Sequence, residues 1–241
     1  MLKKIFTCFK WKWISASVRG PGHIKDDLPN QDYCYVGFVN KFLLVMVCDG
    51  LGSHLHSDYG ARTLCEIFPK CFSEWSRFRP SNMDDLLNLL QTYWLMNVRC
   101  FGVGKCGCTC QLAILNSRGK GWIAQLGDGM TLVRHGNEVL KFSEEKFGYG
   151  NETMAMGEGN LRKYWRKSKV DLSIPGDRLL VMTDGISEDI RPHAEEKFIS
   201  TFDQFLGTLK KKGQKMLVRE LIDWPTPHHL DDKTIVVVEY R

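Results

Sequence analysis

The sequence predicts an α+β fold in which two antiparallel β-sheets pack face to face and helices flank them. Three observations predict it. The strand-like runs follow one another without alternating with helices, the helical segments come in consecutive pairs, and two strand-like runs are apolar enough to be buried. A doubly wound parallel sheet would instead alternate strands with helices. Because no linker-like stretch interrupts the chain, we predict a single domain over residues 1–241.

The first half of the chain opens with strands and continues with two helices. Alternating apolar and polar residues predict the first strand, and an apolar stripe at helical spacing marks the second helix. The predicted elements are a strand over 11–18, a polar loop over 20–30, strands over 33–39 and 42–48, and helices over 57–75 and 84–98.

The second half returns to strands before it ends in two helices and a last strand. Strands are predicted over 108–115, 121–126, 130–135, 138–142, 169–172, 178–182 and 234–240, and helices near 195–211 and 214–223. Residues 143–165 are rich in Gly, Met and charge, which predicts an irregular loop.

Composition and charge exclude several classes of protein. The longest strongly apolar run, Phe42–Cys48, is far shorter than the ~20 residues that span a bilayer, so no membrane partner is expected. A net charge of +5 is too mild to predict nucleic-acid binding. The nine cysteines are odd in number and several lie in apolar runs. This use of free thiols predicts a reducing compartment, and we expect a cytoplasmic protein.

Carboxylates recur where predicted strands begin or end. Asp49-Gly50, Asp128-Gly129 and Asp184-Gly185 each follow a strand, while Asp32 and Asp231 precede one. One Asp-Gly pair is only a turn signal. A carboxylate at the end of a buried strand, however, is unfavourable unless it is paired or binds a cation. Oxygen ligands alone favour Mg²⁺ or Mn²⁺.

Six short motifs follow one another along the chain, namely Asn30-Gln31-Asp32, Asp49-Gly50-Leu51-Gly52-Ser53-His54, Gly107-Cys108-Thr109, Gly127-Asp128-Gly129-Met130, Thr183-Asp184-Gly185 and Asp231-Asp232-Lys233-Thr234. In this order they resemble the motifs of the protein phosphatase 2C (PPM) family of metal-dependent serine/threonine phosphatases, in its bacterial branch.

The resemblance implies a site for two Mn²⁺ or Mg²⁺ ions, with positions for a third, weaker one. It implies that Asp49 bridges the two ions and that the Gly50 carbonyl binds one of them. Asp184 and Asp231 would hold the other, Asp32 would act through water, and Asp128 with Asp184 would hold the third. His54, or a water held by Asp32, is the expected proton donor.

The implied reaction is hydrolysis of phosphoserine or phosphothreonine on proteins by a hydroxide that bridges the two ions. The implied partners are a phosphoprotein substrate and an opposing Ser/Thr kinase system. The resemblance also places a substrate-contacting flap near residues 153–159.

This chain departs from the family pattern at three points. Gly129-Met130 replaces Ser-Arg, and Asp232 replaces Asn and adds negative charge near the metals. The family's phosphate-binding arginine has no clear counterpart, and Arg19, His23 and Lys25 are the candidates. The missing arginine leaves an alternative open, a catalytically weak or inactive sensor or scaffold that keeps the fold.

Two other phosphatase chemistries have weaker signals. Cys71 and Arg77 have the spacing of a cysteine-phosphatase loop, but the segment contains no glycine and reads as the end of a helix. Asp232-Lys233-Thr234 is similar to a haloacid-dehalogenase motif, but there the nucleophilic Asp follows a strand, whereas this one precedes it.

Overall fold

The computed structural model describes residues 10–77, 82–143, 153–159, 161–207, 210–226 and 229–241. Its strands are β1 Trp11–Val18, β2 Tyr33–Val39, β3 Phe42–Cys48, β4 Cys110–Leu115, β5 Lys120–Leu126, β6 Met130–His135, β7 Glu138–Ser143, β8 Arg166–Asp171, β9 Arg178–Met182 and β10 Lys233–Tyr240. Its α-helices are α1 Pro21–Lys25, α2 Ser57–Arg77, α3 Met83–Val98, α4 Asp184–Ser187, α5 Glu195–Thr201, α6 Asp203–Gly207 and α7 Lys210–Ile222.

The strands form two five-stranded antiparallel sheets. One sheet has the order β1-β10-β9-β6-β7 and the other has the order β2-β3-β4-β5-β8. Helices α2 and α3 cover the outer face of the second sheet, and α5, α6 and α7 cover the first. The predicted α+β sandwich, with helices on both outer faces, is confirmed.

Period-two packing explains why the central strands are apolar on both faces. In β3, the side chains of Leu43, Val45 and Val47 pack between the two sheets. The intervening residues Leu44 and Met46 pack under α2 and α3. Successive side chains of a strand point to opposite faces, so a strand with a core on each side needs apolar residues at every position.

The observed elements differ from the predicted ones mainly outside the sheets. The polar loop over 20–30 contains a short helix, α1, whose second residue Gly22 donates a backbone hydrogen bond to the Leu230 carbonyl at 2.9 Å. The helix predicted near 195–211 breaks at Phe202, whose ring contacts those of Phe198 and Phe205. Much of the predicted loop over 143–165 lies outside the described residues, namely 144–152 and 160.

Among the described helices, none has both the length and the apolar character needed to cross a bilayer.

Antiparallel pairing brings the carboxylate-bearing strand ends to one edge of the sandwich. Tyr33 pairs with Cys48, so Asp32 and Asp49 lie side by side. Met182 pairs with both Met130 and Ile235, so the turn before β6 and the segment before β10 both approach the end of β9. The edge therefore gathers residues that lie far apart in the chain.

Gly60 marks a close approach of α2 to the segment that leads into β4. A β-carbon built on Gly60 would lie 1.8 Å from the backbone oxygen of Cys106. The Gly60 carbonyl also accepts a hydrogen bond from the Trp94 indole nitrogen at 2.9 Å. Only glycine fits here without moving the backbone of α2 or of residue 106.

We expect Gly60→Ala to lower the free energy of unfolding by about 1–3 kcal/mol, because the added methyl overpacks a rigid backbone contact. The matched control is Gly207→Ala, at a helical glycine whose added methyl would meet no atom within 4 Å. Urea unfolding followed by circular dichroism measures both. Equal stabilities for the two variants would contradict this packing argument.

Candidate active site

Five aspartates from both sheets lie at one edge of the sandwich, and three of them meet closely. Oxygen atoms of Asp49, Asp128 and Asp184 all lie within 4.8 Å of one another. Asp32 and Asp231 are close enough that their negative charges act on Asp49. The structure thus brings Asp49, Asp128 and Asp184 together directly, with Asp32 and Asp231 near them. Asp231 itself lies within 4.8 Å of His23 and Asp232. The assignment of the five aspartates as ligands stays a prediction.

The pKa values of three of these groups report how crowded the cluster is. Loss of hydration raises the pKa of Asp49 well above the ordinary value of 3.8, and the charges of Asp32, Asp184 and Asp231 raise it further. Burial likewise raises the pKa of Asp184, followed by repulsion from Asp128 and Asp231. A hydrogen bond between the Asp49 and Asp184 carboxyl groups raises the pKa of Asp49 and lowers that of Asp184.

Asp32 is the most buried member of the cluster, at 4% exposure. Burial is the largest cause of its raised pKa, and the charge of Asp232 adds to it. Its Oδ2 atom accepts a hydrogen bond from the Thr183 hydroxyl at 2.9 Å, which opposes the rise. Its Oδ1 atom is buried without a hydrogen-bond partner in the described structure.

The donor set fits hard divalent cations. Among the described residues, the buried Oδ1 atoms of Asp32 and Asp184 have no hydrogen-bond partner, and unpaired buried acceptors are unfavourable. Within the described ranges, none of the five aspartates forms an ion pair with Lys or Arg. Carboxylate and carbonyl oxygens are the ligands that Mg²⁺ and Mn²⁺ prefer.

The backbone around Asp49 and Gly50 is fixed by neighbouring motifs. The Asp49 amide donates to the Thr109 hydroxyl at 3.2 Å, and its carbonyl accepts from the Thr109 amide at 2.7 Å. The Gly50 amide donates to the Gln31 carbonyl at 3.1 Å. Three motifs recognised separately in the sequence are therefore hydrogen-bonded into one framework around the predicted bridging ligand.

Two buried glutamines donate hydrogen bonds to the backbone of the turn that carries Asp128. Gln111 and Gln125 are cross-strand partners in β4 and β5. The Gln111 amide nitrogen donates to the Asp128 carbonyl, and that of Gln125 donates to the Gly127 carbonyl at 3.0 Å. Sequence reasoning missed both residues, although two glutamines inside otherwise apolar strands were a visible signal.

Thr153, in the predicted flap, contacts the Asp128 side chain directly, and this contact was not predicted. Its hydroxyl donates to Asp128 Oδ2 at 2.6 Å. Thr153 begins the predicted flap over 153–159, and Met156 of that segment donates a backbone hydrogen bond of 2.8 Å to the Cys108 carbonyl. The flap segment therefore touches the cluster itself.

The substitution at Gly129-Met130 has a packing explanation. Gly129 has a positive φ of 87°, and an added β-carbon would lie 2.8 Å from the Met182 carbonyl. Met130 is 5% exposed and packs with the apolar residues under the C-terminal helices. The two residues that depart from the family pattern here therefore fit the packing of the core.

Asp232, the other departure from the family pattern near the cluster, is held by three hydrogen-bond donors. It accepts hydrogen bonds from the Gly20 amide at 2.6 Å, the Gln31 amide at 2.6 Å and His23 Nδ1 at 2.9 Å. An asparagine offers only one acceptor atom, whereas both Asp232 oxygens are used. The extra charge foreseen from the sequence is present, and it raises the pKa of Asp32.

Lys233 lies beside the cluster and was also missed. It is 2% exposed, and its ammonium group donates to the backbone carbonyl of Asp231 at 2.8 Å. Burial lowers its pKa, while the charges of Asp231 and its acidic neighbours oppose that change. Its charge partly balances the cluster without an ion pair to any of the five aspartates.

The three candidate phosphate-binding residues share one segment after β1. Arg19 is exposed and donates to the Leu28 carbonyl at 3.0 Å, Lys25 is exposed at the end of α1, and the Nδ1 atom of His23 is committed to Asp232. Their role in holding phosphate stays a prediction.

His54 is positioned by the chain rather than free in a loop. Its Nδ1 atom accepts a hydrogen bond from the Gly107 amide at 3.0 Å. A neutral His54 therefore carries its proton on Nε2. A β-carbon at Gly107 would lie 2.6 Å from this ring, which explains the glycine. The predicted proton-donor role stays a prediction.

The cysteine-phosphatase reading is incompatible with the structure. Cys71 and Arg77 both lie within α2, so the intervening amides bond within the helix instead of forming a phosphate loop. Burial also raises the pKa of the Cys71 thiol to about 12, which disfavours a thiolate nucleophile.

Comparison with known proteins gives a family and a fold. The family model described as "Protein phosphatase 2C" matches residues 19–224. No curated protein matches the chain significantly. Many solved structures are similar in fold at low sequence identity.

Three of those structures illustrate the range. A bacterial serine phosphatase is 16% identical with a TM-score of 0.71, covering 95% of this chain and 98% of its own. PppA, a type VI secretion regulator of Pseudomonas aeruginosa, is 17% identical with a TM-score of 0.63, covering 96% and 98%. RsbX in complex with magnesium is 12% identical with a TM-score of 0.59, covering 96% of each chain.

The raised pKa values make a prediction for the metal-free protein. A folded-state pKa above the ordinary value of 3.8 means that the folded protein binds protons more tightly than the unfolded chain. Stability from these groups is therefore present below that value and falls as pH rises through the raised pKa values. Asp49→Asn should raise the Tm in EDTA at about pH 7.5, by roughly 2–4 °C per kcal/mol of relieved repulsion.

The gain should shrink as pH falls through the raised pKa of Asp49, because Asp49 becomes protonated in the unsubstituted protein. Differential scanning fluorimetry in EDTA measures both effects, with the exposed Asp85→Asn on α3 as the control. A lower Tm for Asp49→Asn at neutral pH would contradict the repulsion inferred here.

Proposed function

The chain belongs to the protein phosphatase 2C family, and we propose that it hydrolyses phosphoserine and phosphothreonine in proteins with the help of Mn²⁺ or Mg²⁺. The observation that carries the proposal is the set of five carboxylates at one edge of the sandwich. Among the described residues, the buried Oδ1 atoms of Asp32 and Asp184 have no hydrogen-bond partner. That arrangement is unfavourable in the absence of cations, so it points to cation binding as its use.

Each ligand has a defined place in the proposal. Asp49, the Gly50 carbonyl, Asp184 and Asp231 would hold two cations, with Asp49 shared between them. Asp32 acts through water, and Asp128 joins Asp184 at a third, weaker position. When bound, the cations supply Lewis acidity that lowers the pKa of the attacking water and offsets the charge of the phosphate oxygens.

The chain's own groups position the substrate and supply a proton. Arg19, His23 and Lys25 are the proposed phosphate-binding groups, and Arg19 and Lys25 are exposed. His54 as an imidazolium, through Nε2, or a water held by Asp32 would donate the proton to the leaving alkoxide. No covalent protein nucleophile takes part.

The biological setting follows from the same proposal. The substrate is a phosphoprotein, and a Ser/Thr kinase system opposes the enzyme. We also propose that residues 1–241 form one phosphatase domain and that it acts in the cytoplasm. The magnesium complex of the similar RsbX structure supports a divalent cation, without deciding between Mg²⁺ and Mn²⁺ here.

A second candidate function is a sensor or scaffold that binds cations but turns over weakly. The observation that favours it is the occupation of two candidate phosphate-binding groups by protein partners. Arg19 donates to the Leu28 carbonyl, and His23 Nδ1 contacts Asp232. Turnover of a small phosphate ester separates the two functions.

We expect the purified protein to hydrolyse p-nitrophenyl phosphate and a phosphothreonine peptide with Mn²⁺ present, and to lose both activities in excess EDTA. Asp49→Asn and Asp184→Asn should each lower kcat/KM by about a hundredfold or more, because each loses charge at the cations. The matched control is Asp85→Asn on α3, with circular dichroism to show that all variants fold.

Two results would count against the phosphatase proposal. Full activity of Asp49→Asn would show that catalysis does not need the proposed bridging ligand. Manganese binding by the unsubstituted protein without turnover of either substrate would favour the sensor or scaffold.

A further inference from the structure

A groove of about 490 Å³ lies beside the carboxylate cluster, between α1, the end of α7 and the segment before β10. Three apolar side chains around it are unusually exposed, namely Ile24 at 55%, Ile222 at 66% and Leu230 at 55%. Trp224 also lines the groove. Exposed apolar residues that gather around one concave surface mark a binding site more often than scattered ones do.

The segment that precedes β10 connects the groove to the cluster. Leu230 lines the groove, and the next residue, Asp231, is a predicted ligand. Lys233 also lines the groove while its ammonium group donates to the Asp231 carbonyl at 2.8 Å. Ile24 of α1 also lines the groove, and its neighbour His23 contacts Asp232.

The charge of the groove suits a phosphorylated ligand. Its charged or titratable lining residues are Arg19, His229 and Lys233, and no Asp or Glu of the described residues lines it. His229 is partnered by Asp189 at 2.9 Å, which lies outside the lining. Lys233 is 2% exposed and donates to backbone carbonyls, so Arg19 is the exposed cation among the described lining residues of this mainly apolar groove.

We propose that this groove binds an apolar side chain of the phosphoprotein substrate, located within three residues of the phosphorylated serine or threonine. The inference rests on the proposed function and names the substrate feature that the site selects. Leu230 and Asp231 are consecutive, with α-carbons about 3.8 Å apart, so one substrate segment can reach both. The volume falls in the range of pockets that enclose small ligands or side chains.

The continuity with the cluster favours a substrate segment over a second copy of the chain. A ligand in this groove contacts the segment before β10, and that segment also contains Asp231 and Asp232. A stable partner seated there would stay against the segment that bears Asp231 of the candidate active site. A substrate segment occupies the groove only while its phosphate is in that site.

The test uses synthetic phosphoserine peptides of about eleven residues in a Gly-Ala-Ser host, with Leu or Ser placed at each of the three positions on either side. At one or more positions, Leu should raise kcat/KM about tenfold over Ser, as expected for a partly buried side chain. The double variant Ile24→Ser/Ile222→Ser should bring this ratio close to one. Met96→Ser, at a 64% exposed residue of α3, should keep it.

Three results would overturn the groove proposal. These are equal rates for Leu and Ser peptides at every position, a Leu preference that survives in the double variant, or a change from dimer to monomer in the double variant on size-exclusion chromatography. The last would assign the groove to a second copy. Rates with p-nitrophenyl phosphate, which has no peptide to enter the groove, normalise for metal loading.

Failure of the proposed function is separable from failure of the groove. If the unsubstituted protein hydrolyses neither p-nitrophenyl phosphate nor any peptide with Mn²⁺, the phosphatase proposal is wrong. Fluorescence anisotropy of labelled phosphopeptides then decides the groove alone. Tighter binding of Leu than of Ser peptides, lost in the double variant, supports it, and equal affinities reject it.

Discussion

Mutual repulsion among carboxylates is the constraint around which this edge of the molecule is built. Five aspartates approach from both sheets, and burial and shared charge raise the pKa of Asp32, Asp49 and Asp184. Such an arrangement holds only because the rest of the fold fixes the strand ends that carry it. The two packed sheets provide that rigidity, since Asp49 and Asp184 follow central strands that are buried on both faces.

Hydrogen bonds from neighbouring segments set the positions of the carboxylates without neutralising them. Thr183 donates to Asp32, Thr153 donates to Asp128, and Gln111 and Gln125 hold the turn below Asp128. Neutral donors orient an acceptor while they leave its charge available to a cation. Lys233 acts differently, since its buried ammonium group donates to the backbone carbonyls of His229 and Asp231.

Sequence patterns predicted the parts of the fold that repeat a local rule. The run Phe42–Cys48 is apolar throughout, and it lies between two cores. The order of the motifs around Asp32, Asp49, Asp128, Asp184 and Asp231 predicted that they meet, because the resemblance supplied a topology in which those strand ends share an edge. The apolar periodicity of α2 and α3 likewise predicted their existence and close bounds.

The remaining features depend on contacts between distant segments, which no local pattern encodes. Thr153 and Lys233 look like ordinary polar residues until the fold places them beside Asp128 and Asp231. Asp232 was read as a perturbing charge, whereas three donors from other segments satisfy it. The break at Phe202 reflects packing of aromatic rings under the first sheet, which overrides the helical propensity of the flanking residues.

A crystal of the protein soaked in manganese, with anomalous scattering recorded at the manganese edge, most directly tests whether these acidic side chains form a cation site. Two strong peaks should lie on either side of the Asp49 carboxylate, one of them within coordination distance of Asp184 and Asp231. Full occupancy at other surfaces with no density at this edge would contradict the account.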